Sequence, residues 1–338
     1  MNYLTDKLLS IQDLQTCFFT SSGIVKAVDH VSLDIARGET LGIVGESGSG
    51  KTTVALSIMR LVPSPPGKIV GGRIDLAGYG NLVELDETEL RKIRGSVIAM
   101  SFQDPMTYLN PVLTVGKQVV EAILLHNDMT RSDATARAIQ IMRRVGIGSP
   151  ERRAREYPHQ MSGGMRQRIL LAMAISCQPR LLIADEPTTA LDVITQAGIL
   201  RLLKNLKEEL GISLLIVSHD LGVVANLCDR IGIMYAGRMM EIGNTAEIFE
   251  RSRHPYTRAL LESIPRVDVG KKRLAVIDGA IPRLTDLPNG CVFNPRCTFA
   301  QPECKVTNPP LEIAAEDHKT ACLLWKQIYS KEEIHLDR

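Results

Sequence analysis

Gly45-Glu46-Ser47-Gly48-Ser49-Gly50-Lys51-Thr52 fits the pattern G-x-x-x-x-G-K-[ST] at every position. Glycines at this spacing let successive backbone N–H groups turn inward around phosphate oxygens, and a helix starting at the lysine adds the positive end of its dipole. Lys51 would reach the β- and γ-phosphates and Thr52 would ligate Mg²⁺. The candidate nucleotide-binding residues here are Gly45, Ser47, Gly48, Gly50, Lys51, Thr52 and Thr53. Farther along, Leu181-Leu182-Ile183-Ala184-Asp185-Glu186 is an apolar run ending in two acids. Asp185 is placed to hold Mg²⁺, directly or through water, and Glu186 to polarise the water that attacks a γ-phosphate. Alone, such a run is a weak signal, since strands often end in acids at a surface. It gains force by following a phosphate loop.

A different chemistry is suggested near the C-terminus by Cys291-x5-Cys297-x6-Cys304-x17-Cys322. In an intracellular chain, four clustered cysteines point to metal before disulfides. The spacing lacks the C-x2-C pair of zinc ribbons and differs from the ferredoxin run. Zinc, an iron–sulfur cluster and unmetallated thiols all remain open. Cys17, Cys177 and Cys228 stand among apolar neighbours and read as small core residues.

These side chains need elements to position them. Leu41-Gly42-Ile43-Val44 leads straight into the glycine loop, and a helical pattern follows over 51–61 until Pro63, Pro65, Pro66 and Gly67 break it. Upstream, 8–19 and 25–35 flank the turn Ser21-Ser22-Gly23 and predict a β-rich beginning. Residues 113–174 read as mostly helical. The runs 181–184 and 212–217 are short and unalternating, as strands buried on both faces of a parallel sheet are. Between them Ile199, Leu202, Leu203, Leu206 and Leu210 fall on one helical face. Strand, helix, strand at this spacing predicts a βαβ unit and an α/β fold. One more helix is expected over 254–264, and the Pro-, Gly-, Asn- and Cys-rich stretch after it reads as a loop-rich appendage.

Ser162-Gly163-Gly164-Met165-Arg166-Gln167-Arg168 resembles the signature of ABC cassettes, at the start of a predicted helix and so at a second anion-attracting N-terminus. Ser-Gly-Gly alone is commonplace; its place shortly before the acidic strand makes it specific. Gln103, in Phe102-Gln103-Asp104-Pro105, resembles the Q-loop glutamine that senses Mg²⁺ and the γ-phosphate. Ala190-Leu191-Asp192 resembles the D-loop, and His219 the switch histidine. With these motifs in the family's order, residues 8–250 are identified as an ABC ATPase cassette.

The resemblance implies an α/β, ABC-type P-loop ATPase cassette over 1–250, with a RecA-like core, an antiparallel β subdomain and a helical subdomain at about 113–175. It implies ATP and Mg²⁺, with Thr52, Gln103 and Asp185 at the metal and Glu186, His219 and Gln103 as the catalytic groups. Two cassettes of the family sandwich two ATP molecules head to tail. Ser162, Gly163, Gly164 and Asp192 therefore join the nucleotide-binding set, with Ser162 serving the partner's nucleotide. Family members also stack adenine on an aromatic residue near the end of the first strand. Phe18 and Phe19 both qualify; alternation puts them on opposite faces, so Phe18 is favoured and Phe19 is expected in the core.

Asp104-Pro105-Met106-Thr107-Tyr108-Leu109-Asn110-Pro111, the Met-Arg-Gln-Arg signature and His254-Pro255-Tyr256-Thr257 resemble the ATPase subunits of dipeptide and oligopeptide importers. Nickel importers are the alternative. That resemblance implies a heterodimer with a second, different ABC ATPase subunit, two transmembrane permease subunits and an external solute-binding protein. It also implies a C-terminal metal-binding region over 251–338, with a [4Fe-4S] cluster on Cys291, Cys297, Cys304 and Cys322 and Zn²⁺ as the alternative.

Bulk properties agree with this class. The chain has 338 residues, 40 basic against 38 acidic, and a net charge of +2, which argues against holding nucleic acid by bulk charge. No stretch approaches the roughly 20 apolar residues that span a bilayer, and residues 1–9 lack an apolar signal core. The expected place is the cytoplasmic face of the cell membrane, peripherally. The absence of heptads and of fused membrane spans argues against chromosome ATPases and exporter halves.

Overall fold

A computed structural model describes residues 7–189, 191–264 and 277–328. In chain order the strands are β1 (Lys7–Thr20), β2 (Gly23–Ala36), β3 (Thr40–Val44), β4 (Gly67–Leu76), β5 (Gly80–Asn81) and β6 (Ile98–Ser101). They continue with β7 (Leu181–Asp185), β8 (Ser213–Ser218), β9 (Arg230–Tyr235), β10 (Arg238–Asn244), β11 (Glu312–Ala315) and β12 (His318–Thr320). The helices begin with α1 (Lys51–Ile58), α2 (Glu87–Ile93), α3 (Pro105–Tyr108), α4 (Val115–Leu124), α5 (Arg131–Arg144) and α6 (Pro150–Arg153). After them come α7 (Gly163–Ile175), α8 (Val193–Leu210), α9 (Leu221–Ala225), α10 (Thr245–Glu250) and α11 (Pro255–Glu262).

Contacts gather these elements into two units, each drawn from several stretches of chain. The first takes residues 7–9, Asp34–Thr40 and Asp75–Val217. In it β6, β7 and β8 run parallel, with Ile98 opposite Leu181 and Leu181 opposite Ser213. β7 and β8 are buried along their whole lengths, which is why their sequences do not alternate. Helix α8 carries the chain from β7 to β8. It buries Ile199, Leu202, Leu203 and Leu206 and half-buries Leu210. Asp192 caps its start, and Gly211 in left-handed conformation ends it. Helices α4, α5 and α7 pack on one another as a separate helical group.

The second unit takes Ser10–Leu33, Leu41–Ile74 and the chain from Ser218 onward. Here β3 pairs with β9 in parallel, Leu41 opposite Arg230, and β10 pairs antiparallel with β9. The order β2-β1-β4 makes a further sheet of this unit. The C-terminal region is loop-rich as expected, with two short strands added. β12 adds to β10, Glu241 opposite Thr320, and β11 pairs with β12. These strands are four and three residues long, too short for a readable period, and exist because β10 offers an edge.

Among the described residues no helix is long and apolar enough to cross a membrane. Cys17 and Cys228 are buried as expected. Cys177, expected in the core, is only half-buried, and its Sγ accepts from Asn127 Nδ2 at 3.4 Å.

Candidate nucleotide site and the cysteine cavity

In the second unit the phosphate loop connects β3 to α1. Gly50 caps the helix with φ 100. A Cβ on Gly50 would lie 2.1 Å from the Ala27 carbonyl oxygen, and one on Gly45 would lie 2.1 Å from that of Met234. Both positions therefore admit glycine alone. Lys51 is buried, and its Nζ donates to the carbonyls of Gly45 (2.7 Å) and Glu46 (2.9 Å). An ammonium held this way has donors placed for phosphate oxygens, whose own charge strengthens the bond further. Ser47 and Gly48 are exposed, while Thr52 and Thr53 are half-buried in the first turn. His219 is exposed, one residue past β8.

The two phenylalanines divide differently from the alternation argument. Phe18 is half-buried, with its ring so close to Gly67 that a Cβ there would stand 2.9 Å from it. Phe19 is 50% exposed, not a core residue, because the outer face of β1 is open at its end.

In the first unit Asp185, 2% exposed, ends β7, and Glu186 follows with φ 45, a left-handed conformation that non-glycine residues hold only under constraint. The Glu186 N–H donates to Val217 O at 2.8 Å. Its carboxylate accepts from Thr189 Oγ1 (2.6 Å) and Gln103 Nε2 (3.2 Å). Gln103 and Glu186 are thus brought together from 83 residues apart. Thr189 was not singled out in the sequence, although a hydroxyl three residues after a glutamate is a common turn partner.

Ser162 caps α7, its Oγ accepting from Met165 N at 3.3 Å, and Ser162 and Gly163 are exposed. Asp192 caps α8, accepting from Thr195 Oγ1 (2.7 Å) and Thr195 N (3.0 Å); the hydroxyl first, then the amide, hold its carboxyl below the usual range. A Cβ on Gly164 would come 2.5 Å from Thr195 Cγ2, so the two helix starts meet at that threonine. Ala190 of the D-loop stretch lies outside the described residues.

The four C-terminal cysteines, all free thiols, line one cavity of about 20 Å³. Its walls include His254, Pro255, Phe293, Pro309 and Leu324. Burial pushes the thiol of Cys291 up, that of Cys297 to about 11 and that of Cys322 to about 12. Among the described residues no group of three or more His, Cys, Asp or Glu side chains is set to hold a metal ion. The appendage, expected as a metal centre, is in this structure a cavity lined by four thiols that do not converge on one ion.

Nearby, Glu241 and His318 are fully buried and 2.7 Å apart, and Glu241 also accepts from the backbone N–H groups of Arg253 and His254. Burial holds His254 neutral, its pKa pushed down to about 4, with Glu241 opposing.

Residues 28–189 match the family model described as ABC transporter, and 240–304 match that of the oligopeptide/dipeptide transporter C-terminal region. A probable peptide ABC transporter ATP-binding protein of Sinorhizobium fredii is 47% identical over 99% of this chain and 98% of its own. The dipeptide transport ATP-binding protein DppD of Bacillus subtilis is 48% identical over 95% of this chain and 96% of its own. The solved dimeric post-hydrolysis state of the cassette MJ0796, bound to ADP and Pi, aligns with a TM-score of 0.63 and 30% identity. It covers 70% of this chain and 98% of that one.

The comparisons correct the expected assembly. The relatives are named as ATP-binding proteins of peptide transport, none naming a second, different ATPase, and the solved dimer is of a single cassette. The heterodimer, and with it the permease and binding-protein partners expected from the same resemblance, is withdrawn. Nickel, the alternative cargo, appears in neither relative's name.

Proposed function

This chain belongs to the ABC transporter ATP-binding proteins, and from that premise we propose that its ATP hydrolysis powers the import of dipeptides or oligopeptides. The carboxylate of Glu186, held by Gln103 and Thr189, carries this reading. Two of its hydrogen bonds come from an amide and a hydroxyl, which orient the carboxylate as a general base requires. Asp185 and Thr52 would hold Mg²⁺, which supplies charge neutralisation at the phosphates. Lys51, Gly45, Ser47, Gly48, Gly50 and Thr53 bind the triphosphate, His219 contacts the γ-phosphate, and Phe18 stacks on adenine. Ser162, Gly163, Gly164 and Asp192 complete the nucleotide-binding set. The cassette occupies 1–250, its helical part about 113–175, and the peptide-transport region 251–338. Its place is the cytoplasmic face of the membrane.

We assign the cysteine cavity to a [4Fe-4S] cluster held by Cys291, Cys297, Cys304 and Cys322. Four cysteine thiols lining one cavity match the donor number of such a cluster. The cluster would supply thiolate–iron bonds that staple a small, loop-rich region. Because burial raises the pKa of the Cys291, Cys297 and Cys322 thiols, loading would release protons and tighten as pH rises.

A strain deleted for this gene, fed labelled dipeptides, tests the import reading. Uptake lost on deletion should return with the wild-type gene and not with Glu186→Gln; uptake unaffected by deletion sinks the peptide assignment. Iron, sulfide and zinc assays on anaerobically purified chain test the cluster: about four irons with matching sulfide support it. Zinc or no metal removes it.

A further inference from the structure

Glu46, inside the phosphate loop, is held at each of its polar groups. Its carbonyl accepts from Lys51 Nζ (2.9 Å), its N–H donates to Tyr256 Oη (3.1 Å), and its carboxylate accepts from Arg296 Nη1 at 3.0 and 3.2 Å. Tyr256 and Arg296 lie 210 and 250 residues farther along the chain, in the region that follows the cassette motifs.

Neither is a loose surface contact. Tyr256 is fully buried, and the Arg296 side chain is 5% exposed. The guanidinium is fixed on several sides: Nε donates to Asp278 O (2.9 Å), Nη2 to Ile277 O (3.0 Å) and Nη1 also to Tyr235 Oη (3.3 Å). It lies 5.7 Å over the Tyr235 ring. The rings of Tyr235, Tyr256 and Phe293 pack with centroids 4.7, 5.2 and 5.3 Å apart, which anchors this arrangement to the end of β9. Beyond that end, Gly237 N donates to Ser49 O at 2.9 Å, touching the same loop. A desolvated, multiply bonded arginine holds its partner in one geometry far better than an exposed pair does.

We propose that Tyr256 and Arg296 are positioning residues for nucleotide binding: they clamp Glu46, and through its carbonyl they set where Lys51 waits for phosphate. This rests on the ATPase reading and deepens it. The clamp also shares its chain segments with the cysteine cavity. Arg296 directly precedes Cys297, and His254 and Pro255, just before Tyr256, line the cavity wall. Local order at the thiols is thereby continuous with local order at the phosphate loop.

The test uses the full chain, with equilibrium binding of a fluorescent ATP analogue, steady-state ATPase and thermal unfolding. Arg296→Ala and Glu46→Gln are each expected to weaken analogue binding and raise KM for ATP about five- to tenfold, with a smaller change in kcat. The double variant should be little worse than the poorer single one, because both remove the same ion pair. Arg296→Lys, which keeps the charge and loses the planar fork, should recover part of the affinity.

A fall in Tm with affinity and KM within about twofold of wild type would show a purely structural role and overturn the clamp. If Arg296→Ala does not fold, Glu46→Gln and Tyr256→Phe, which remove little packing, decide between the same two outcomes. A wild-type chain that binds no analogue overturns the nucleotide reading itself; wild-type binding with unaltered variants overturns the clamp alone.

Discussion

Glu186 and Glu46 stand just past the ends of parallel strands, β7 and β3, yet their surroundings differ in kind. Glu186 accepts from a glutamine amide and a threonine hydroxyl; Glu46 accepts from a buried arginine. The amide and the hydroxyl at Glu186 aim its carboxylate. A fixed guanidinium spends that charge on geometry and makes the loop rigid instead. The contrast separates a residue suited to chemistry from one suited to holding a loop, although both are glutamates beside candidate nucleotide-binding residues.

The same substitution at both positions is the sharpest way to break the comparison. Glu186→Gln is expected to lower turnover about 10²- to 10⁴-fold while the fluorescent ATP analogue still binds. Sustained hydrolysis would remove Glu186 from the chemistry. At Glu46 the same amide change should leave kcat near wild type and raise KM about five- to tenfold. Equal kcat losses at the two sites would erase the distinction.

A subtler test uses pH. His254, adjacent to the clamp segment, is kept neutral by burial with a pKa of about 4 against an ordinary 6.5, with the buried Glu241 opposing the shift. A histidine depressed on folding contributes stability that is whole above about pH 6.5 and drains away as pH falls toward 4. Urea midpoints followed by the fluorescence of Trp325, the chain's one tryptophan, should drop over that window, and His254→Gln should flatten the slope. A midpoint unchanged between pH 7 and pH 5 would contradict it. The smallest expected effect is at Asp192: Asp192→Ala should lower Tm slightly through loss of the α8 cap, with Asp192→Asn near neutral.

Much of the catalytic side was legible in the chain because its geometry is local. Gly45 and Gly50 announce a backbone that tolerates no Cβ, and an unalternating run ending in Asp185-Glu186 announces a doubly buried strand. The helix Val193–Leu210 follows from the spacing of Ile199, Leu202, Leu203 and Leu206. Phe19 misled because alternation assigns two faces without saying which is covered. The short strands of the C-terminal hairpin escaped notice because β12 takes its hydrogen bonds from β10 and β11 from β12, not from any pattern of their own. Thr189 and Thr195 look unremarkable until a carboxylate is placed beside them.

The sequence by itself determined the phosphate loop, the acidic strand end, the α/β class and the presence of four clustered cysteines, since backbone sterics and periodicity act between near neighbours. Only the tertiary structure decided that Glu46 belongs to Arg296 and Tyr256, that Glu241 gathers Arg253, His254 and His318, and that the four thiols share one cavity. Those pairings join residues as far as 250 positions apart, and a buried charge finds its partner through the packing of the whole unit, which no local pattern encodes.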